Sequence, residues 1–253
     1  MGSAEILAIL GAAIAAGAIN AVVGSGSLIT FPTLLAFGFP PVTANVSNNV
    51  GLVPGNLSGA YGYRKELGGQ RSRLIRLGAA SCAGALTGAI ALLALPPSVF
   101  KLVVPVLILI ACVLVVVQPA MSARVAARGK ESKPQGGPLL LTGIFLAGVY
   151  GGYFGAAQGV LVIGLLGIGL TERLQRVNAA KNVLVTIVNG TAAAIFIIFA
   201  HIAWWVVALI AVGSSIGGLI GARVGQRLPP LVLRILIVVI GLIAIAKLVF
   251  FPS

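Results

Sequence analysis

Apolar residues run along this chain in ten stretches separated by short polar, Gly-rich or Pro-rich connections. Five come first, at residues 6–23, 28–39, 43–63, 74–95 and 99–117, and five follow at 139–154, 160–170, 177–200, 204–221 and 231–250. A helix needs about 20 apolar residues to cross a hydrocarbon layer of about 30 Å, and most of these stretches approach that length. The second stretch of each five is shorter, about a dozen residues, and follows a Gly-rich turn. Those turns are Gly24-Ser25-Gly26-Ser27 and Gly155-Ala156-Ala157-Gln158-Gly159. Each first pair therefore predicts a hairpin of one long and one short or broken helix, its tip inside the membrane.

Polar residues inside the stretches repeat. Asn45, Asn49 and Asn56 recur 133 positions on as Asn178, Asn182 and Asn189. Ser81, Gly84 and Gly88 recur at the same offset as Ser214, Gly217 and Gly221, and Leu95-Pro96-Pro97 recurs as Leu228-Pro229-Pro230. One offset held over so many polar, Gly and Pro positions predicts two copies of one unit. The expected organisation is a first membrane repeat at 1–118, a cytoplasmic linker at 119–138 and a second repeat at 139–253, together forming one transport unit.

Composition settles the class. Of 253 residues, 59% are hydrophobic and 8% charged, and the mean hydropathy is +1.12, too apolar for a water-soluble surface. The fold class expected is an all-α polytopic integral membrane protein. No basic segment precedes the first apolar run, which is predicted to be a retained helix rather than a signal peptide. The formal charge of +13 sits in short loops, as an orientation signal does, and excludes a nucleic-acid partner; the lipid bilayer is the partner expected.

Five segments is an odd number, so the second copy is expected to enter the membrane upside down. The charges agree. Arg64, Lys65, Arg71, Arg73 and Arg76 crowd one loop of the first copy, while its equivalent at 199–203 has no Lys or Arg. Arg173 and Arg176 mark a second-copy connection whose equivalent, 38–43, is uncharged. Arg223 and Arg227 face an equivalent with Lys101 alone nearby, and the basic run after the first copy has no echo after the second. Basic loops face the cytoplasm, which predicts a multi-pass protein of the inner (plasma) membrane with both termini outside. Inverted-topology repeats are a hallmark of secondary transporters, whose substrates bind at the repeat interface near the midplane.

Several residues are candidates for a binding site. From Asn45, Asn49 and Asn56 lie 4 and 11 positions on, within about 40° on a helix at roughly 100° per residue. The same holds for Asn178, Asn182 and Asn189. These carboxamides either line a polar cavity or bind helices to one another. The short helices after Gly24, Ser25, Gly26 and Ser27, and after Gly155 and Gln158, would offer positive dipole ends to an anion, or the small residues would simply pack helices closely. Asn48 is replaced by Lys181 in the second copy; Lys181 is expected to snorkel to the interface, with holding an entering anion as the alternative. Gly84/Gly88 and Gly213/Gly217/Gly221 are read as helix-packing faces. Cys82 and Cys112 are read as buried small hydrophobes, and His201, before Trp204 and Trp205, as an interface residue.

There is no Asp, and the four Glu residues lie at span ends or in basic loops. Proton and cation carriers keep an intramembrane carboxylate, metal sites need clustered carboxylate, His or thiolate groups, and an enzyme needs an acid–base or nucleophile set. Such sets are missing, so no enzyme, no metal and no cofactor is expected. Neutral donors, helix dipoles and a few Lys/Arg suit a small anionic substrate. A proton would travel on the substrate itself, or the anion would move alone.

Two regions carry a family likeness. Residues 17–63, with Gly24-Ser25-Gly26-Ser27-Leu28-Ile29-Thr30-Phe31-Pro32 and Ala44-Asn45-Val46-Ser47-Asn48-Asn49, resemble the sulfite exporter TauE/SafE family. So do residues 148–189, with Gly151-Gly152-Tyr153-Phe154-Gly155-Ala156 and Val177-Asn178-Ala179-Ala180-Lys181-Asn182. The resemblance implies a bacterial inner-membrane permease, usually an exporter, for sulfite, sulfonates or related sulfur oxyanions. The expected function is thus a secondary transporter working by alternating access. A passive anion channel or uniporter is the alternative, and a membrane scaffold with packing-only asparagines is a third reading. The sequence fixes no oligomeric state.

Overall fold

The computed structural model describes residues 2–127, 137–170, 172–224 and 230–250. Linker residues 128–136 and the basic Arg227 lie outside the described residues. All regular structure among the described residues is helical. The first half contains α1 (Ser3–Val22), α2 (Ser27–Ala36), α3 (Pro41–Gly62), α4 (Arg71–Ala94) and α5 (Pro97–Ala127), with a 3-10 turn at Arg64–Leu67. The second contains α6 (Pro138–Tyr153), α7 (Gln158–Gly169), α8 (Leu174–Phe199), α9 (Trp204–Val224) and α10 (Pro230–Phe250). Each apolar stretch is one helix. The main departures are α5, which continues to Ala127 instead of stopping at 117, and α6, which has only 16 residues and is nearly as short as the hairpin helix α7. α3 and α6 begin on Pro41 and Pro138, where proline's missing N–H leaves no helical bond unmade.

Five described helices, α1, α4, α5, α8 and α9, are long and apolar enough to cross a bilayer. The surface is inside-out relative to a water-soluble protein. Leu102, Leu139 and Phe199 are more than 70% exposed, while eight carboxamide and lysine side chains of α3 and α8 are buried. Lipid is the solvent that rewards this arrangement.

The two halves pack through matching helix pairs. α1 lies on α9 as α6 lies on α4, α3 touches α9 as α8 touches α4, and α2 meets α10 as α7 meets α5. α3 and α8 pair with each other, as do α5 and α10. The small-residue faces bring backbones together as expected. A Cβ on Gly84 or Gly88 would stand 2.2 or 2.1 Å from the carbonyl oxygens of Phe145 and Val149 on α6. One on Gly217 or Gly221 would stand 2.0 or 2.4 Å from those of Ile14 and Ala18 on α1.

Direction follows from the connections. Beyond the end of α3, the Gly68 carbonyl accepts from Arg176 Nη2, near the start of α8, at 3.0 Å. Beyond the end of α8, the Ala203 N–H donates to Ser47 Oγ, near the start of α3, at 3.0 Å. The equivalent helices α3 and α8 therefore run antiparallel. Cys112 is buried beneath Gly241, as expected, but Cys82 is exposed on the outer face of α4; a uniformly apolar stretch does not say which of its faces meets lipid. His201, Trp204 and Trp205 are exposed at one end of the helices, as a span boundary requires.

Candidate functional site

The two hairpin tips meet inside the protein. α1 stops at Val22 and α6 at Tyr153, and the chain turns at Gly24 (φ 86°) and Gly155 (φ 78°), left-handed positions suited to glycine. The Gly159 N–H donates to the Gly24 carbonyl at 3.0 Å. A Cβ on Gly24 would lie 2.4 Å from Gly159 Cα, so both backbones occupy the crossing point. Next to it Ala157 holds φ 56°, the one non-glycine left-handed residue among those described, at a cost of about 1–2 kcal/mol. Ser27 and Gln158 open α2 and α7 from this crossing. They are 131 positions apart rather than 133, because α7 has 12 residues where α2 has 10.

At the tips Ser25 Oγ and both polar atoms of the Gln158 carboxamide are buried without a hydrogen-bond partner. The carboxamide presses on Gly151, where a Cβ would be 2.3 Å from Gln158 Cδ. Asn20, which the repeat pattern did not single out, braces the first tip. Its Nδ2 donates to Asn56 Oδ1 at 2.5 Å, and its Oδ1 accepts from the Gly26 N–H at 3.3 Å.

The asparagine stripes reach across the halves to these broken helices. A helix that stops leaves its last carbonyls without N–H partners, and the chain's own side chains supply them. Asn45 Nδ2 donates to the Tyr153 carbonyl at 3.0 Å. The Ala21 carbonyl receives Asn178 Nδ2 at 3.4 Å and Asn182 Nδ2 at 3.2 Å. Asn49 Nδ2 reaches Asn189 Oδ1 at 3.5 Å between α3 and α8. Asn48 stands apart, accepting from Thr30 of its own half. Part of the stripe thus does what interhelical glue would do, yet Asn49 Oδ1, Asn56 Nδ2 and Asn178 Oδ1 stay buried and unpaired beside the tips.

Lys181 corrects an expectation. It does not snorkel: it is fully buried, and its Nζ donates to the carbonyls of Asn20 at 2.9 Å and Ala21 at 3.0 Å. α8 begins at Leu174, so Lys181 lies about two turns inside the helix, where the partners within reach are the open end of α1 rather than water.

At one end of the molecule the basic loops of both halves touch. Glu172 bridges Arg73 at 3.0 Å and Arg176 at 2.6 Å, and Gln70 Nε2 donates to the Arg176 carbonyl at 3.3 Å. Burial raises the Glu172 carboxyl, but hydrogen bonds and charge from Arg176 and Arg73 outweigh it and hold the group below its ordinary 4.5. A depressed carboxyl contributes stability that is present above the ordinary value and lost as pH falls through the folded value. Glu172→Gln is therefore expected to cost about 1 kcal/mol at pH 7, the scale of a partly solvent-screened ion pair. Its deficit against the wild type should shrink as pH drops below 4.5, as read from thermal midpoints across pH. A deficit constant down to pH 3 would refute the ionic role.

Among the described residues no cluster of three or more His, Cys, Asp or Glu could hold a metal ion. The profile of the family described as Sulfite exporter TauE/SafE matches residues 9–248. A probable membrane transporter protein, ORF9, from Sinorhizobium sp is 25% identical over 96% of this chain and 91% of its own length. YfcA of Escherichia coli K12, also called a probable membrane transporter protein, is 25% identical over 94% of this chain and 87% of its own. A probable membrane transporter protein of Haemophilus influenzae is 28% identical over 92% and 89%. No solved structure matches the chain.

Proposed function

This chain belongs to the sulfite exporter TauE/SafE family, whose relatives are described as membrane transporters, and from that premise we propose that it carries small sulfur-containing anions, sulfite or sulfonates, across the inner membrane by alternating access. One observation carries the reading: the polar side chains at the crossing tips, Ser25 and Gln158, are buried with nothing to bond. Leaving such groups unpaired costs about 1–3 kcal/mol each, a cost that a bound oxyanion would remove at the two donors, the Ser25 hydroxyl and Gln158 Nε2. The starts of α2 and α7 lie at the same crossing, and helix N-termini favour negative charge. Asn56 Nδ2 and the hydroxyl of Ser25 are donors suited to sulfonate or sulfite oxygens.

The inverted arrangement supports the carrier. Antiparallel α3 and α8, helix pairs that exchange between halves, and basic loops gathered on one face favour two opposed repeats with that face cytoplasmic. Rocking one unit against the other would open the tips alternately to each side; export is the direction the family description favours.

The test is the thermal midpoint of the purified protein against sulfite, sulfoacetate, taurine, thiosulfate, sulfate and chloride, with a nickel salt as cation control. A ligand that binds only the folded state stabilises it by about 2.7 kcal/mol at 100 times its Kd. A sulfur anion is expected to raise the midpoint while chloride and nickel do not, and proteoliposome flux of that anion should saturate. Flux that rises linearly with concentration would make the protein a channel instead. No shift with any sulfur anion would overturn the substrate reading.

A further inference from the structure

The buried Lys181 Nζ lies against the open end of α1. Its partners are backbone carbonyl oxygens, Asn20 at 2.9 Å and Ala21 at 3.0 Å, at the open C-terminal end of α1. One turn earlier on α8, Asn178 Oδ1 is buried and unpaired, while the Nδ2 of the same carboxamide sits on the Ala21 oxygen at 3.4 Å. Open carbonyls at the negative, C-terminal end of a helix are hard oxygen donors of the kind that hold sodium in membrane carriers. The described glutamates, Glu5, Glu66 and Glu172, lie in first helical turns or connections, so Lys181 Nζ is held by neutral carbonyl oxygens.

The two halves differ here. The position equivalent to Lys181 is Asn48, which bonds Thr30 within its own half, and the matching end of α6 receives Asn45 instead. A carboxamide in the first half and a lysine in the second thus stand at equivalent positions.

We infer that the end of α1 is a monovalent-cation site occupied by the chain's own Lys181 ammonium, so that the anion is moved without a co-transported sodium ion. Lys181→Asn, which restores the residue of the first half, or Lys181→Ala then opens the site to sodium. The inference rests on the transport reading above, but its readout is sodium, with no sulfur anion present. Failure of the substrate reading would leave the sodium response intact, so the two are separable.

The experiment compares thermal midpoints of the full chain in sodium gluconate and choline gluconate at equal ionic strength. The wild type should give one midpoint in both salts. Lys181→Asn and Lys181→Ala should melt lower in choline and recover by several degrees, saturably, as sodium replaces it. Midpoints of both variants indifferent to the salt would overturn the inference, and so would a saturable sodium shift in the wild type. If neither variant can be purified in either salt, the wild-type comparison decides: an unchanged midpoint supports the tethered cation, and a sodium-dependent one refutes it.

Discussion

Gly159→Ala is expected to lose about 3 kcal/mol of stability, the upper part of the usual range for overpacking, and to give little folded protein on size-exclusion chromatography. The reason lies in what a single added carbon would meet. It would stand 2.4 Å from Gly24 Cα and 2.9 Å from the Gly24 carbonyl oxygen. Both are backbone atoms, so no flexible side chain can turn aside, and the Gly159 N–H bond to that same carbonyl resists separation. Gly190→Ala is the control. It lies within α8, where a Cβ would find nothing within 4 Å, and Gly→Ala inside a helix gains roughly 0.5–1 kcal/mol. A Gly159→Ala midpoint equal to the wild type would mean that the tips do not touch.

The helices were legible because a bilayer demands long unbroken apolar runs, and the asparagine stripes because a carboxamide in such a run needs a reason. What the stripes do was less legible. Asn45 and Asn178 bond the ends of helices contributed by the opposite half, contacts separated by more than a hundred residues. The meeting of Gly24 with Gly159 is of the same long-range kind. Asn20 lies outside the asparagine repeat because the hairpins are related by 131 positions and α3 and α8 by 133, and its hairpin counterpart, Gly151, carries no polar side chain. From sequence Lys181 reads as an interface residue because a lysine near a helix start ordinarily reaches water. Nothing local in the sequence shows that the open end of α1 lies against it.

Gln158→Met should make the protein more stable and stop it working. Methionine has nearly the length and volume of glutamine and is unbranched, so it can keep the contact against Gly151 that a branched residue would strain. It removes two buried polar atoms that have no partner, and relief of such a penalty is worth about 1–3 kcal/mol. The ligand-free midpoint should therefore rise, as it should to a smaller degree for Ser25→Ala, whose hydroxyl is equally buried and unpaired. If those groups exist to bond an anion's oxygens, the anion-dependent shift disappears in both variants, and proteoliposome flux falls by about tenfold or more, as loss of one well-made hydrogen bond of 1.4 kcal/mol or above requires. Stability gained with function lost is the trade expected of a binding site whose unbound state is strained. A purely structural glutamine predicts the reverse on both counts: a lower midpoint and an unchanged response to the anion. Either of those results would move the site away from the tips and leave the asparagine band between α3 and α8 to hold the substrate.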